Sequence, residues 1–146
     1  MLIGYTRIAT VQPEEDLDIQ KRLLIDFGCA VENIYSEKTA NGKPQPELIL
    51  AINTLRRGDK FIIDHICRLG YDLLETGKIL EKIEEKSVKI VVLDVGGNLM
   101  DSSTKLGFAM FKAIQAVAML PLDDIREKKL EVLFKSRKNY KSGVKF

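Results

Sequence analysis

The sequence of 146 residues predicts an α/β fold, with a mostly parallel open sheet, helices on both of its faces and a long C-terminal helix. Three observations predict it. Strand-like and helix-like segments alternate in the order β-α-β-α-β-α-β. The segment "VKIVVLDV", Val88–Val95, is a nearly continuous apolar run of the kind that is buried on both faces of a parallel sheet. A content of 45% hydrophobic and 30% charged residues suits one domain that buries its own core.

The first part of the chain predicts two strands and two helices. Leu2–Tyr5 is the first predicted strand, and Pro13 opens a helix whose apolar face ends before Gly28. A short second strand is predicted at Asn33–Tyr35. The polar loop "EKTANGKPQP" follows, and a loop of this length in a small domain is often functional. The second helix carries apolar residues at helical spacing and closes at Gly58.

The second part predicts two more strands, Lys60–Ile66 and Val88–Val95, with a helix that begins at Asp72 between them. After "GGNLMD", we expect Ser102 or Ser103 to cap the long helix.

Pro121 divides this long helix from a basic C-terminal segment. A proline inside a helix costs about 3 kcal/mol, so the helix kinks there or a second, basic helix starts and runs to about Tyr140. We therefore predict a main domain at residues 1–120, which includes the first part of the long helix, and a basic helix with a hinge-like tail at 121–146. No helix-turn-helix domain is expected in the chain.

The long helix is too apolar for a solvated surface. Its apolar side chains include Leu106, Met110, Ile114, Val117 and Met119. Each buried side chain of this size contributes roughly 1.5 to 3 kcal/mol, so a partner surface is expected to cover them. Because a symmetric dimer is the commonest arrangement for such a surface, Met110, Ile114 and Val117 are the predicted dimer interface.

Composition excludes several classes of protein. There is no apolar run of about 18 residues and no signal-peptide pattern, so we expect a cytoplasmic protein without a membrane segment. The two cysteines, Cys29 and Cys67, lack the spacing of a zinc or redox motif, and His65 is the single histidine. We predict free, buried thiols, no metal and no cofactor.

The C-terminal segment is strongly basic although the whole chain carries a net charge of only +2. From Arg126 onward, only Glu127 and Glu131 oppose eight basic residues: Arg126, Lys128, Lys129, Lys135, Arg137, Lys138, Lys141 and Lys145. Such a block suits either a solvated helix face or contact with a polyanion such as nucleic acid.

Seven segments in order resemble one family, the N-terminal catalytic domain of resolvase/invertase serine recombinases. The segments are "IGYTRIAT", "LDIQKRLL", "IYSEKTANG", "GD" at Gly58-Asp59, "CRLGYD", "AIQAVA" and "KSGVKF". Each is weak alone, but together they cover nearly the whole chain. The resemblance implies the resolvase fold, DNA as the partner and a dimer formed through the long helix.

The resemblance also implies the chemistry. In that family a serine hydroxyl attacks a DNA phosphodiester and an arginine cluster stabilises the charge that develops. Arg7 and Arg68 match that cluster, and Gln20 matches the family's first helix, but Ala9 stands at the nucleophile position. The catalytic set is therefore vestigial.

Further departures concern the acid and two arginines of the family. Cys67 replaces the acid, Tyr71 replaces the last arginine of its segment, and the loop arginine maps onto Gln45 or its neighbours. The DNA-contacting residues that we predict are Arg7, Arg68, Lys128, Lys135, Arg137 and Lys138.

Three hypotheses about function follow from the sequence. The first is a recombinase domain that cannot cleave, and that acts in DNA recombination or its regulation as a homodimer or as a heteromer with an active recombinase. The second is an active recombinase with an unconventional nucleophile such as Thr10. The third is a generic α/β binding module that shares only the fold.

Overall fold

The computed structural model describes residues 1–40, 42–70 and 72–120. One sheet contains five strands, which we number in chain order: β1 (Leu2–Ile8), β2 (Ile34–Lys38), β3 (Lys60–Ile63), β4 (Lys89–Val95) and β5 (Asn98–Asp101). The spatial order is β2-β1-β3-β4-β5. The first four strands are parallel, and β5 is antiparallel to β4.

Four helices accompany the sheet: α1 (Glu14–Phe27), α2 (Pro46–Thr54), α3 (Leu73–Glu85) and α4 (Lys105–Ala118). Short 3-10 turns lie at Val31–Asn33 and Ile66–Arg68. The predicted α/β class with a mostly parallel sheet is thus confirmed. None of the helices in the described ranges combines the length and the apolar content that crossing a bilayer requires.

The helices divide between the two faces of the sheet, as predicted. Side chains alternate along β3, so that Phe61 and Ile63 join one core and Ile62 joins the other. The larger core packs under α2, α3 and α4, whereas the smaller one includes Leu24 of α1 and Val91 of β4. All of these side chains are buried, which explains the continuous apolar run in β4.

Strand β5 was not predicted from the sequence. It pairs with β4 through a hairpin whose turn contains Gly96 and Gly97, with φ angles of +61° and +87°. Positive φ at both positions is favourable for glycine, and a two-glycine connection is a recognised hairpin signal. The strand has only four residues, which is why the apolar pattern did not reveal it.

Several predicted boundaries were wrong. Strand β2 spans Ile34–Lys38 and not Asn33–Tyr35, and α2 ends at Thr54 and not at Gly58. Strand β1 extends to Ile8, beyond the predicted Tyr5, so Arg7 lies within the strand and not in the following loop. Strand β3 ends at Ile63 and not at Ile66, because Ile66 already belongs to a 3-10 turn. The cap of α4 is neither predicted serine. Instead, the Thr104 hydroxyl accepts a hydrogen bond from the Gly107 amide at 3.0 Å.

Helix α4 packs on the larger core through Gly107, Phe111 and Ala118, which are all buried. Its contact with α3 is close: a Cβ atom added at Gly77 would lie 2.3 Å from the Cβ of Ala118. Ile114 is half-buried and packs against the same core. The predicted second region, 121–146, lies outside the described residues.

Candidate functional site

A cleft of about 370 Å³ opens at the carboxyl ends of β1 and β3. Ligands commonly bind at this edge of open α/β sheets. The lining residues are Arg7, Ile8, Ala9, Gln12, Thr39, Cys67, Arg68 and Gly70. The fold therefore brings four of the predicted site residues into one cleft, although Arg7 lies in β1, Ala9 directly follows β1, and the other two lie in a turn about 60 residues later in the chain.

Gln20 supports the cleft from behind. Its buried side-chain amide forms two hydrogen bonds with the backbone of Arg7, one accepted from the amide N–H and one donated to the carbonyl, both at 3.0 Å. Because this side chain takes the place of a strand partner, it fixes the end of β1. Gln20 thus holds Arg7 in place through the backbone.

The guanidinium of Arg7 bridges β1 and the turn at Ile66–Arg68. Its Nη2 donates to the carbonyl oxygen of Cys67 at 3.0 Å. A guanidinium has five N–H donors, so this bond leaves others to face the cleft. Within the described ranges no carboxylate forms an ion pair with Arg7. Arg7 therefore brings an uncompensated positive charge to the cleft.

Arg68 is already paired. Its Nε and Nη2 donate to the two carboxylate oxygens of Asp64 at 2.9 and 3.0 Å, and Asp64 is buried. This hydrogen bonding raises the pKa of Arg68, while burial opposes the shift. The ion pair joins residues four positions apart in the chain. Arg68 lines the cleft with its remaining donors, but Asp64 neutralises its charge.

Ala9, which the resemblance aligns with the nucleophile of the family, has a methyl side chain without an oxygen. Ala9 lies in the cleft, and its backbone N–H donates to the Gln12 side-chain oxygen at 2.7 Å. Thr10 is exposed, and the hydroxyl that lines the cleft is that of Thr39, which donates to the carbonyl oxygens of Pro44 at 3.3 Å and Ala40 at 3.4 Å.

Of the other predicted positions, the structure corrects the one at Cys67 and does not describe the remaining five. The expectation that both cysteines are buried was wrong for Cys67, which is exposed at the rim, whereas Cys29 is buried. Tyr71, Lys128, Lys135, Arg137 and Lys138 lie outside the described residues, so their predicted roles stay predictions.

A buried polar network behind the cleft was not anticipated. The hydroxyl of Tyr5 donates to Glu37 at 2.5 Å, and Glu37 also accepts from the backbone amides of Glu47 and Leu48 at the start of α2, both at 3.2 Å. Burial and then the bond to Glu37 raise the pKa of the Tyr5 phenol far above its usual range. These partners are distant in sequence, so no local pattern could have revealed them.

Gln45 joins this network to the cleft. Its side chain is buried, and its Nε2 donates to the Tyr5 hydroxyl at 2.8 Å and to the carbonyl oxygen of Arg68 at 2.9 Å. A neutral amide therefore stands where the resemblance led us to expect a loop arginine. The cleft is left with one uncompensated cation among the described residues, Arg7.

Comparison with known proteins places this geometry in a family. The family model described as "Resolvase, N terminal domain" matches residues 2–141. The transposon Tn917 resolvase of Enterococcus faecalis is 29% identical over 144 residues, which is 98% of this chain and 74% of that protein. The serine recombinase gin of Escherichia phage Mu is 26% identical, covering 98% of this chain and 71% of its own length. A resolvase of Clostridium perfringens is 35% identical over 62% of this chain and 47% of its own length.

Solved structures agree on the fold. The N-terminal catalytic domain of TP901-1 integrase matches with a TM-score of 0.63 at 16% identity, over 80% of this chain and 92% of that one. A resolvase family site-specific recombinase from Streptococcus pneumoniae matches with a TM-score of 0.55 at 15% identity, over 94% and 99% of the two chains. With the family model matching nearly all of its length, this chain belongs to the resolvase N-terminal domain family.

Proposed function

We propose that this chain is a resolvase-type domain that binds DNA and pairs with recombinase subunits but does not cleave DNA. The observation that carries the proposal is Ala9, which lies in the cleft beside Arg7 where the family has its nucleophilic serine. A methyl group cannot attack phosphorus, and no neighbouring charge compensates for a missing nucleophile.

The charge of the cleft supports binding without catalysis. Arg7 offers free donors to one phosphate group, whereas the charge of Arg68 is already neutralised by Asp64. Removal of a single donor that stabilises a transition state costs a factor of about 10² to 10³ in rate. Gln45 in place of the loop arginine adds to that loss.

Pairing is supported by the outer face of α4. Apart from Lys105 and Lys112, the helix carries no charged residue, and its exposed apolar side chains are Leu106, Phe108, Met110 and Val117. Leu106, Met110 and Val117 lie on one stripe of the helix, and exposed apolar surface of this kind commonly marks a protein interface. In this proposal a second copy, or an active recombinase, covers the face, while the basic segment beyond residue 121 contacts DNA.

A second candidate function is DNA cleavage by a hydroxyl other than that of a serine at position 9. The sequence suggested Thr10 for this role, but the structure favours a different threonine. Thr39 lines the cleft and Thr10 does not, so Thr39 is the residue to examine. The hypothesis of a generic binding module loses its basis, because the family match spans nearly the whole chain.

A mixing experiment tests the proposal. This chain is titrated into an active recombinase from the same cell, and strand cleavage, DNA mobility shift and size-exclusion profiles are followed together. We expect co-elution, a DNA shift and inhibition that grows with the fraction of this chain. If the two chains do not co-elute and this chain does not inhibit cleavage, the proposed pairing is wrong. A Val117→Glu variant serves as the control that should not inhibit.

A further inference from the structure

The turn at Ile66–Arg68 is held from two sides by side chains that bond consecutive backbone carbonyls. Arg7 donates to the carbonyl oxygen of Cys67 at 3.0 Å, and Gln45 donates to that of Arg68 at 2.9 Å. The turn itself contributes only 3-10 hydrogen bonds of 3.2 Å, from Arg68 to His65 and from Leu69 to Ile66. Since 3-10 geometry is poorer than α-helical geometry, the two side-chain bonds matter for where Arg68 lies.

Gln45 is fixed by a chain of bonds that ends at a helix. The Tyr5 hydroxyl accepts from Gln45 at 2.8 Å and donates to Glu37 at 2.5 Å, and Glu37 accepts two backbone amides at the start of α2. Buried networks in which every member is satisfied are rigid. In the described part of the chain no buried side-chain polar atom lacks a partner.

We infer that Gln45 is a positioning residue of the cleft: its amide holds the backbone of Arg68 so that the guanidinium donors not used by Asp64 reach a DNA phosphate. This inference rests on the proposed function and deepens it. It makes the loop between β2 and α2 part of the binding apparatus although Gln45 carries no charge. Gln45 acts through Arg68 and has no contact of its own with the ligand in this proposal.

The consequence for DNA binding is measurable as a loss of affinity. Because Asp64 already neutralises the charge of Arg68, a phosphate contact from its remaining donors adds a hydrogen bond but little counterion release, so the salt dependence should stay nearly unchanged. Gln45→Ala should weaken binding of the full chain to a short duplex by about fivefold to tenfold, as followed by fluorescence anisotropy, which corresponds to one hydrogen bond of about 1 kcal/mol. Asn53→Ala is the matched control, because it truncates an exposed side-chain amide that forms no hydrogen bond within the described residues; its affinity should equal that of the unmodified chain.

A reference variant identifies the contact. Asp64→Asn combined with Arg68→Gln removes the guanidinium without leaving a buried carboxylate unpaired, and Gln45→Ala added to it should weaken binding no further. If the reference variant weakens binding but Gln45→Ala does not, the inference is wrong while the proposed function stands. If the unmodified chain does not bind the duplex, both fail.

Hydrogen exchange in the absence of DNA tests the positioning role of Gln45 separately from the proposed DNA binding. Gln45→Ala should speed exchange of the Arg68 and Leu69 amides by about fivefold to tenfold, which corresponds to the loss of one hydrogen bond of about 1 kcal/mol. Tyr5→Phe should change these amides by less. Equal exchange in Gln45→Ala and the unmodified chain would overturn the positioning role whatever the DNA results are.

Discussion

The cleft and the outer face of α4 are both accessible to solvent, but they differ in how far their side chains are already satisfied. In the cleft, Arg7 and Arg68 both bond to neighbouring groups, and a buried network supports them from behind. On α4, by contrast, Leu106 is 73% exposed and Met119 is 63% exposed. The cleft therefore keeps its shape within one chain, whereas the α4 face lacks the surface that would cover it.

The function of the cleft depends on its charged and reactive groups, whereas that of the α4 face depends on apolar area. The cleft, which we propose binds phosphate, has one uncompensated cation in the described residues and contains Ala9 where the resemblance leads us to expect a serine. The α4 face needs no reactive group, because apolar area alone drives association. Substitutions in the two regions should consequently change different observables.

The largest effect is expected on α4. Met110→Glu or Val117→Glu places a charge in the proposed seam, where the two copies of a symmetric dimer each lose a buried side chain worth roughly 1.5 to 3 kcal/mol. The dissociation constant should rise by about 10² to 10⁴, at a factor of ten per 1.4 kcal/mol. Sedimentation equilibrium across the micromolar range measures this change.

The control is Ile19→Glu, which makes the same change at a 60% exposed position on α1 and should leave association unaltered. Ile114→Glu, a change that the sequence pattern alone would suggest, is unsuitable, because Ile114 packs against the core and its substitution would also weaken the fold. A monomeric unmodified chain at tens of micromolar would contradict the seam.

The network behind the cleft gives the next effect. Tyr5→Phe removes one hydrogen bond each from Glu37 and Gln45 and should lower the free energy of unfolding by about 1 to 3 kcal/mol in urea denaturation. Tyr35→Phe is the matched control, since the Tyr35 hydroxyl has no hydrogen bond within the described residues. Equal losses in the two variants would show that the network adds no stability.

A smaller effect is expected on DNA binding by single cations. Arg7→Gln should lower the salt slope by about 0.9, the value of one phosphate contact, and Lys135→Glu should weaken binding without changing association. Both are measured by anisotropy with a short duplex, and sedimentation verifies that the dimer persists. An unchanged slope for Arg7→Gln would mean that the free guanidinium of the cleft does not face phosphate.

The smallest effect concerns the ion pair between α3 and α4. Hydrogen bonding from Lys112 to Glu84, a side chain that is 44% exposed, lowers the pKa of Glu84 below its ordinary 4.5, while burial opposes the shift. A lowered pKa in the folded state contributes stability that is present above the unfolded pKa and is lost as the pH falls through the folded value. Because solvent screens the pair, Glu84→Gln should cost only about 0.2 to 1 kcal/mol at pH 7.

The cost of Glu84→Gln should shrink as the pH falls below the ordinary pKa of glutamate and vanish below the lowered pKa of the folded state, as judged by denaturation of both chains along a pH series. Glu15→Gln, an exposed glutamate without an ion pair in the described ranges, should show no such dependence. A cost that persists in acid would point to packing and not to charge.

The elements of the fold were largely predictable, because periodicity is a local property. The apolar run in β4 and the apolar stripe of α1, which ends at Gly28, each indicate which side chains of a single segment are buried. Strand β5 escaped because four residues carry too little pattern, although Gly96-Gly97 was a usable signal for a hairpin. The α4 pattern predicted an apolar helix but could not say that Ile114 faces the core while Val117 faces solvent.

The candidate site residues could be named from the sequence, but their geometry could not. The family resemblance named Arg7, Ala9, Cys67 and Arg68, and the fold brings them together in one cleft. The link from Gln45 to Tyr5 joins residues 40 positions apart, which only the tertiary structure reveals.

The central claim, a cleft that binds phosphate without cleaving it, is tested most directly by trapping covalent intermediates on supercoiled DNA. The unmodified chain and Ala9→Ser are incubated with DNA beside an active resolvase as the positive control, and protein-DNA adducts are resolved on denaturing gels. We predict adducts for the resolvase alone, because serine at position 9 would still lack the loop arginine that Gln45 replaces. An adduct from the unmodified chain, lost on Thr39→Val, would contradict the account.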